Sequence, residues 1–561
     1  MEQEQWTNNF GHLKHEFKFD IDEAIIGLPG TGKTYTLQKE VMQDLVDLGY
    51  SLSNVAVSTF TNSMADEFQE RAEEEFAVYS GLDWFGSTHS LCAKLLYRHT
   101  AGNEMNVVNF REKEKFCNEY NYRFNKNAEF DDSNTADAEL GNALFDMRNL
   151  CINSLKNPVD DWKWAYRQIK PDVKVNKRVV RQFNANFEDW KDENDCITFI
   201  DMIKKCLDEE YIPPVSVLIE DEFQDKSPLE LKLFELWSQE IERVYVAGDP
   251  FQAIYRFKGS KPGYMIEAYR QSEESRVLDT TYRFGENLWN FSESILTGNG
   301  YGTPNLDCSG ETEVERISWM DYRRRVSQHQ EDNCFHLVRS SHLTDEVAKV
   351  LRNNGVISRE GFNEKKSVPY ENYFDAVKSA MNIAKKVEAS VRDLSFFDLT
   401  LDEVEYLVYM APETVFSKNK NKILKTIETK EKTDTEFDLG EIFNQRAFVD
   451  VFANDNPFHM LNEKRFKKWY KHKSTMASAF ENGEDLSKHI SHDIATIHKS
   501  KGKDADIVFL LNASTATIKR EGDSTEEARV FFVGATRAAE KLYIVDTQEK
   551  HKFKMGNPGS I

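Results

Sequence analysis

Apolar residues along this chain recur in two rhythms. Short unbroken runs, such as EAIIG at 23–27 and Val215, Val217, Leu218 and Ile219 within VSVLIEDEFQDK at 215–226, predict buried strands. Elsewhere the spacing is three or four: TYTLQKEVMQDLVDLG, from Thr34, places Leu37, Val41, Leu45 and Leu48 on one face of a predicted helix. Between Leu96 and Val217 lie about 120 residues that read as mainly helical, ending in ENDCITFIDMIKKCL at 193–207. A second long interval, from about Phe362 to Lys488, holds KSVPYENYFDAVKSAMNIAKKVEAS and other amphipathic stretches. No internal repeat is visible in either.

With 561 residues the chain exceeds one hydrophobic core, and roughly three or four domains are expected. Hydrophobic residues at 40% and aromatics at 12% suffice for those cores. A net charge of −23 argues against nucleic-acid binding by overall attraction and leaves only a local groove for it. The seven cysteines contain no CxxC pair, which predicts free thiols in a reducing compartment rather than zinc or disulfides. No run approaches the roughly 20 apolar residues that span a bilayer, and MEQEQWTNNF lacks the order of a secretion signal. No membrane partner and a cytoplasmic location are therefore expected.

Between the predicted strand at 23–27 and the helix lies IIGLPGTGKTYTL, in which Gly27, Gly30, Thr31, Gly32, Lys33 and Thr34 fit GxxxxGK[ST]. Glycine lets backbone N–H groups curl around a phosphate, and the helix N-terminus adds positive potential. Lys33 is expected to reach the β and γ phosphates of ATP, and Thr34 to ligate Mg2+. A loop of this kind needs an acidic partner at the end of a second buried strand, and residues 219–225, IEDEFQD, supply it. Asp221 is the expected second Mg2+ ligand, and Glu222 the residue that orients or deprotonates the attacking water. Glu220, just before them, is expected to face solvent.

Several further stretches follow in a fixed order: VSTFTNSMADEFQERA (57–72), FGSTHSLCAKLL (85–96), VAGDPFQAIYRFKGS (246–260), LDTTYRF (278–284), TIHKSKGKDADIVFLL (496–511) and EEARVFFVGATRAAEKLYIV (526–545). With the glycine loop and the acidic segment they resemble the motif series of the UvrD/Rep family of superfamily 1 helicases. The resemblance implies an α/β fold of two RecA-like parallel-sheet domains (P-loop NTPase type), ATP in the cleft between them and single-stranded DNA crossing both. It assigns Arg283 and Arg537 to the γ-phosphate, a role worth about 10³ to 10⁵ in rate, and Gln252 to coupling that phosphate to the DNA site. An arginine outside such motifs is ordinarily a surface ion-pair residue.

The same resemblance places Phe60, Thr61, Asn62, Thr88, His89, Tyr255, Phe257, Thr496 and His498 at the DNA. Aromatic faces there stack bases, worth about 1 to 3 kcal/mol each, with core packing the alternative for Tyr255 and Phe257, and a helix cap the alternative for His89. Gly502, which permits close backbone passage, and Asp504, facing the nucleotide sugar, complete the block TxHxxKG and its sequel. Three departures stand out: Phe257 replaces the usual tryptophan, Asp504 a usual glutamate, and only Gln3 and Gln5 lie among residues 1–22, where relatives carry an adenine-reading glutamine.

The expected plan is RecA-like domain 1 at 1–100 and 197–277, a helical insertion at 101–196, RecA-like domain 2 at 278–362 and 489–548, a second helical insertion at 363–488 and a tail at 549–561. The chain stops about sixteen residues past the last predicted strand, so an appended nuclease domain is not expected. Two segments of the second insertion attract notice: the polar stretch 417–438, expected to be a loop, and EKRFKKWYKHK at 463–473, a basic and aromatic cluster suited to duplex phosphates or to a solvated helix face. The expected activity is 3′ to 5′ translocation on single-stranded DNA with unwinding at duplex junctions. The alternative is a DNA-stimulated ATPase that remodels protein–DNA complexes, or serves in a larger complex, without processive unwinding.

Overall fold

The computed structural model describes residues from Trp6 to Met555, except 8–9, 11–16, 78–80, 101–105, 126–138, 363–369, 424–436, most of 454–490, 515–523 and scattered single positions. The cluster 463–473 and much of the polar segment 417–438 lie outside the described residues.

Six strands form the first sheet: β1 (Glu23–Gly27), β2 (Val55–Thr59), β3 (Phe85–Ser87), β4 (Val217–Glu220), β5 (Arg243–Gly248) and β6 (Glu274–Leu278). Their order is β3-β2-β4-β5-β1-β6, and every pairing is parallel. The pleat sends alternate residues to opposite faces, so Ile25 joins Val57, Ile219 and Leu37 on one side while Ala24 and Ile26 join Leu218 and Val246 on the other. Burial on both faces explains why these strands read as unbroken apolar runs. The helix Pro228–Glu240, which crosses from β4 to β5, opens with a Ser227/Glu230 capping box and a proline in its first turn.

A second parallel sheet contains β7 (Glu313–Ser318), β8 (Cys334–Val338), β9 (Ser358–Glu360), β10 (His492–Thr496), β11 (Ala505–Asn512) and β12 (Ala538–Asp546) in the order β7-β12-β11-β8-β10-β9. One of its faces, carrying Val508, Leu510, Leu542 and Ile544, belongs to the same contiguous core as Ile26 and Leu218 of the first sheet. The protein is thus α/β with two parallel-sheet units, the fold class expected.

Helical blocks interrupt both sheets. Between β3 and β4 run helices Phe110–Glu119, Leu140–Asn153, Trp162–Ile169 and Lys177–Glu193, packed around Phe116, Phe145, Phe183 and Phe187. A two-stranded parallel ribbon, Asn106–Val107 with Cys196–Ile197, joins the ends of this excursion. Between β9 and β10, helices Tyr370–Ala389, Leu401–Met410 and Gln445–Phe452 enclose a core of their own that includes Val404, Leu407 and Phe448.

The helix after the glycine loop departs from its simple expected period. It contains a π-helical turn at Leu37–Val41 before resuming as α-helix over Met42–Asp47. The extra residue in that turn brings Leu37, Val41, Met42 and Leu45 inward. Leu48 falls at the helix C-cap and is 67% exposed, so it does not share the buried face.

The second sheet also buries a histidine chain. His492 Nε2 lies 2.8 Å from the His329 carbonyl, His492 Nδ1 lies 2.9 Å from His336 Nε2, and His336 Nδ1 lies 2.9 Å from the Tyr322 hydroxyl. A carbonyl only accepts, which fixes the order: Tyr322 donates to His336, His336 to His492, and His492 to the carbonyl. Both rings are neutral in this arrangement. Burial pushes the His336 imidazole well below its ordinary value, and burial pushes His492 down to about 4. An imidazole depressed in the folded state stabilises the fold above the unfolded value of about 6.5 and loses that contribution as pH falls toward the folded value. Denaturant melts at pH 7.5 and pH 5 are expected to show a loss of roughly 2 kcal/mol attributable to His492, and that share of the pH dependence should vanish in His492→Asn.

Candidate active site

The glycine loop leaves β1 and curls back on itself. Gly30 and Gly32 adopt φ of +77° and +83°, a region side chains disfavour. A Cβ at Gly27 would sit 2.5 Å from Lys33 Cγ, and one at Gly30 would sit 2.5 Å from Arg283 Cβ. Thr31 folds its hydroxyl onto the Leu28 carbonyl at 2.8 Å, and Lys33 donates to the Gly27 carbonyl at 2.8 Å from a position only 8% exposed. The lysine therefore lies along the concave side of the loop, where a phosphate tail would replace that carbonyl as its partner.

Thr34 donates from its hydroxyl to Asp221 Oδ2 at 2.7 Å, across 187 residues of sequence. This contact joins the loop to the end of β4, which stops at Glu220. Burial raises the Asp221 carboxyl to about 6, with repulsion from Glu222 adding to the shift. At Glu222 burial also pushes upward, but Lys501 and Lys33 outweigh it and hold the carboxyl down at about 2. Glu222 has a φ of +56°, unusual for a residue with a side chain, so the backbone aims this carboxylate out of the strand direction.

Glu220 corrects the expectation of a solvent-facing carboxylate. It is 1% exposed and pairs with Lys226 at 2.8 Å. It remains within the strand, paired to Ser58 of β2 and Val246 of β5, and a central parallel strand has no wet face to offer it. Lys226 also donates to Thr88 at 3.0 Å, and Thr88 lies 3.2 Å from the Ser58 hydroxyl.

The second half faces these groups. Thr281 donates to the Pro29 carbonyl at 2.9 Å, and the Tyr282 amide donates to the Gly30 carbonyl at 2.9 Å, which seats Arg283 against the loop. Arg283 donates to the Thr536 carbonyl at 3.2 Å and lies 3.4 Å from Asp504. Arg537 reaches Gln252 Oε1 at 2.8 Å, and Gln252 in turn donates to Asp249 at 2.7 Å. Burial pushes Arg537 down to about 9, with Arg283 repelling it as well; Glu222, Asp504 and Asp249 pull the other way. A buried guanidinium and a half-buried one near each other make a natural receptor for a multiply charged anion. Gly502, at φ +79°, brings its backbone close enough that a Cβ would meet Met64 Sδ at 3.7 Å.

Beside this cleft lies an aromatic cluster. Phe60 stacks on Tyr255 with centroids 4.5 Å apart, Phe257 sits edge-on to Tyr255 at 5.8 Å, and the ammonium of Lys258 lies 4.6 Å from the Phe60 ring. Tyr255 donates to the His498 carbonyl at 3.2 Å, linking the first half to the second. Thr61 caps the helix Asn62–Phe76, and Asn62 Oδ1 accepts from the Ser87 amide at 3.1 Å. Thr496 is buried with its hydroxyl unpartnered among the described residues. His89 packs edge-on against Phe199 at 5.6 Å, and burial lowers its imidazole despite Glu230.

Comparison with known proteins gives a concordant result. Residues 18–273 match the UvrD/REP helicase N-terminal domain, and residues 150–549 match the UvrD-like helicase C-terminal domain. The chain belongs to the UvrD-like helicase family. Among relatives of this helicase, the ATP-dependent DNA helicase PcrA of Staphylococcus aureus is 21% identical over 621 residues, covering 95% of this chain and 82% of its own length. PcrA of Staphylococcus epidermidis is 21% identical, covering 93% of this chain and 81% of its own. A putative ATP-dependent DNA helicase, YjcD of Bacillus subtilis, is 19% identical over 96% of this chain and 78% of its own.

Several residues of this UvrD-like helicase escaped assignment from sequence. Asp225, Gln224 and Asp249 line the same cleft: Gln224 bonds Glu222 and accepts from the Asp249 amide at 2.9 Å. Asp225 pairs with Lys501, and burial raises its carboxyl to about 7. The acidic run IEDEFQD carried the signal for Asp225, whereas nothing local marks Asp249 as a partner of Gln252. Arg529, donating to the Ala253 carbonyl at 2.9 Å, and Arg256, 3.0 Å from Glu526, further tie the halves.

The buried Glu220–Lys226 pair yields a stability test. Lys226→Met leaves an uncompensated buried carboxylate and should cost about 3 to 5 kcal/mol. Replacing both, Glu220→Leu with Lys226→Met, should recover most of that in thermal or denaturant melts.

Proposed function

We propose that this helicase hydrolyses ATP with Mg2+ in the cleft between its two sheets and uses the cycle to move 3′ to 5′ along single-stranded DNA, opening duplex at junctions. The motor halves are residues 1–100 with 197–277 and residues 278–362 with 489–548, and the insertions are 101–196 and 363–488. The observation that carries this reading is the hydrogen bond from Arg537 to Gln252, which places a motif arginine of one half within reach of the Glu222 and Lys33 side of the other.

The residues fit the ligands they are assigned. Gly27 and Gly30, where an added Cβ would clash, Gly32, whose positive φ disfavours one, and Thr31 and Lys33 form a cradle of the kind a phosphate-wrapping backbone requires. Thr34 and Asp221, already 2.7 Å apart, present two hard oxygens suited to Mg2+, which when bound would neutralise charge on the phosphate oxygens. Glu222 orients the attacking water and accepts its proton. Arg283 and Arg537 stabilise the charge that builds on the transferred group, while Gln252 connects that group to the segment ending in Tyr255 and Phe257. Asp504, held by Arg283, stands on the nucleotide side with Gly502.

DNA contact is assigned to Phe60 and Phe257 by stacking, with Tyr255, buried in the core and stacked on Phe60, supporting them from beneath, and to Thr61, Asn62, Thr88, His89, Thr496 and His498 along the backbone. The buried hydroxyl of Thr88 already serves Ser58 and Lys226, so its part is to shape the surface from beneath. If the grip of the two halves on the strand alternates as the cleft closes and reopens, each cycle yields net movement.

Turnover of ATP is expected to rise on adding single-stranded DNA. Lys33→Ala and Glu222→Gln should each reduce it by about 10² or more, and Arg537→Ala by about 10³. A duplex with a 3′ tail should be displaced and one with a 5′ tail should not. DNA-stimulated turnover without displacement on either substrate would favour a remodelling ATPase instead, and normal turnover by Glu222→Gln would overturn the assignment of the water-activating residue.

A further inference from the structure

Strands β7 and β12 end level with each other, at Ser318 and Asp546, and a cavity of about 360 Å³ opens beyond those carboxyl ends. Open α/β sheets place ligands outside the carboxyl ends of their strands. Arg537 immediately precedes the other end of β12, nine residues back, so at about 3.3 Å per residue the cavity lies roughly 30 Å from the nucleotide cleft. Its apolar wall is Trp319, half-buried at the first position after β7, with Val350 of the helix Thr344–Asn353.

Four charged side chains share the lining: Arg323, Glu346, Lys349 and Glu549. Arg323 lies 5.9 Å from the Trp319 ring. Its neighbours Arg324 and Arg325 each hold a carboxylate, Asp321 at 2.6 Å and Glu315 at 2.9 Å, and Arg323 holds none. Among the described residues none of the four lies within ion-pair distance of an opposite charge. Two cations and two carboxylates around one cavity are therefore complementary to a partner that carries both signs. A pocket for a free small molecule encloses most of its ligand, whereas Arg323, Glu346 and Lys349 form an exposed rim. Met320, next to Trp319 in the chain, is also 68% exposed. This geometry suits a peptide that continues past the edges of the site.

We infer that the cavity docks a linear segment of a partner protein, with an apolar side chain seated on Trp319 and Val350 between an acidic and a basic residue. The acidic residue meets Arg323 and Lys349, and the basic one meets Glu346 and Glu549. The mixed charge decides against nucleic acid, whose phosphates the two carboxylates repel. Docking leaves the motor free to turn over, because the site and the cleft lie at opposite ends of β12.

The test uses the full chain as bait for a phage-displayed library of random linear peptides, counter-selected on Trp319→Ala. Enriched peptides should carry an apolar residue flanked by charges of both signs. Fluorescence anisotropy of a labelled example should show binding that Lys349→Glu weakens by about tenfold or more. Exchanging the acidic residue of that peptide for lysine should restore most of the lost affinity for Lys349→Glu. ATP turnover in both variants should stay within about twofold of wild type. Lys349 is exposed, so Lys349→Glu replaces Trp319→Ala in the counter-selection if the latter does not fold. Enrichment of no sequence over the variant, or of peptides that bind wild type and Lys349→Glu equally, overturns the proposal. So does a wild type that sediments as a dimer and is dissociated by Lys349→Glu, which makes the occupant a second copy of this chain.

Discussion

Everything in the cleft depends on charge held away from water by the meeting of the two sheets. Arg537 lies buried and Arg283 half-buried near it, with Glu222, Asp249 and the exposed Asp504 acting on Arg537 from the other side. In water such charges would interact weakly, but in a buried gap each governs the next. Arg283 is paired within its own half by Asp504, while Arg537 and Lys501 reach across to Gln252 and Asp225 of the other. A ligand bearing several negative charges would change that balance more than a neutral one.

This arrangement also explains why the first sheet spends buried polar groups beneath its surface. Glu220, Lys226, Thr88 and Ser58 form one connected set under the strand ends. Lys226 supplies the charge partner of Glu220 and a donor to Thr88, while Glu220 Oε1 is buried with no hydrogen-bond partner among the described residues. The set fixes the segments after β2, β3 and β4 relative to one another, and those segments carry Phe60, His89 in the first turn of the helix Thr88–His99, and Glu222.

Much of this was legible in the chain. The glycine loop is readable because its requirements are local: positive φ at Gly30 and Gly32, and no room for side chains at Gly27. The parallel sheets are readable because burial on both faces leaves unbroken apolar runs. Glu220 was misjudged by the same logic taken too simply, since a charge at a strand end usually meets water and here meets Lys226. Leu48 was misplaced because a π-helical turn shifts the phase of the helix. The reach of Lys501 was invisible, because sequence spacing carries no information about a contact between residues on opposite halves.

The position of β1 has a consequence for how the protein is made. This strand lies between β5 and β6, and the residues that pair with Glu23 are Tyr245 and Glu274. A ribosome therefore releases the phosphate-loop segment about 220 residues before either neighbour exists to flank it. The helical block between β3 and β4 has its own core and can condense during that wait. The nascent chain must nonetheless keep an apolar strand from misassociating until the centre of its sheet is synthesised, and pairings this distant in sequence form late.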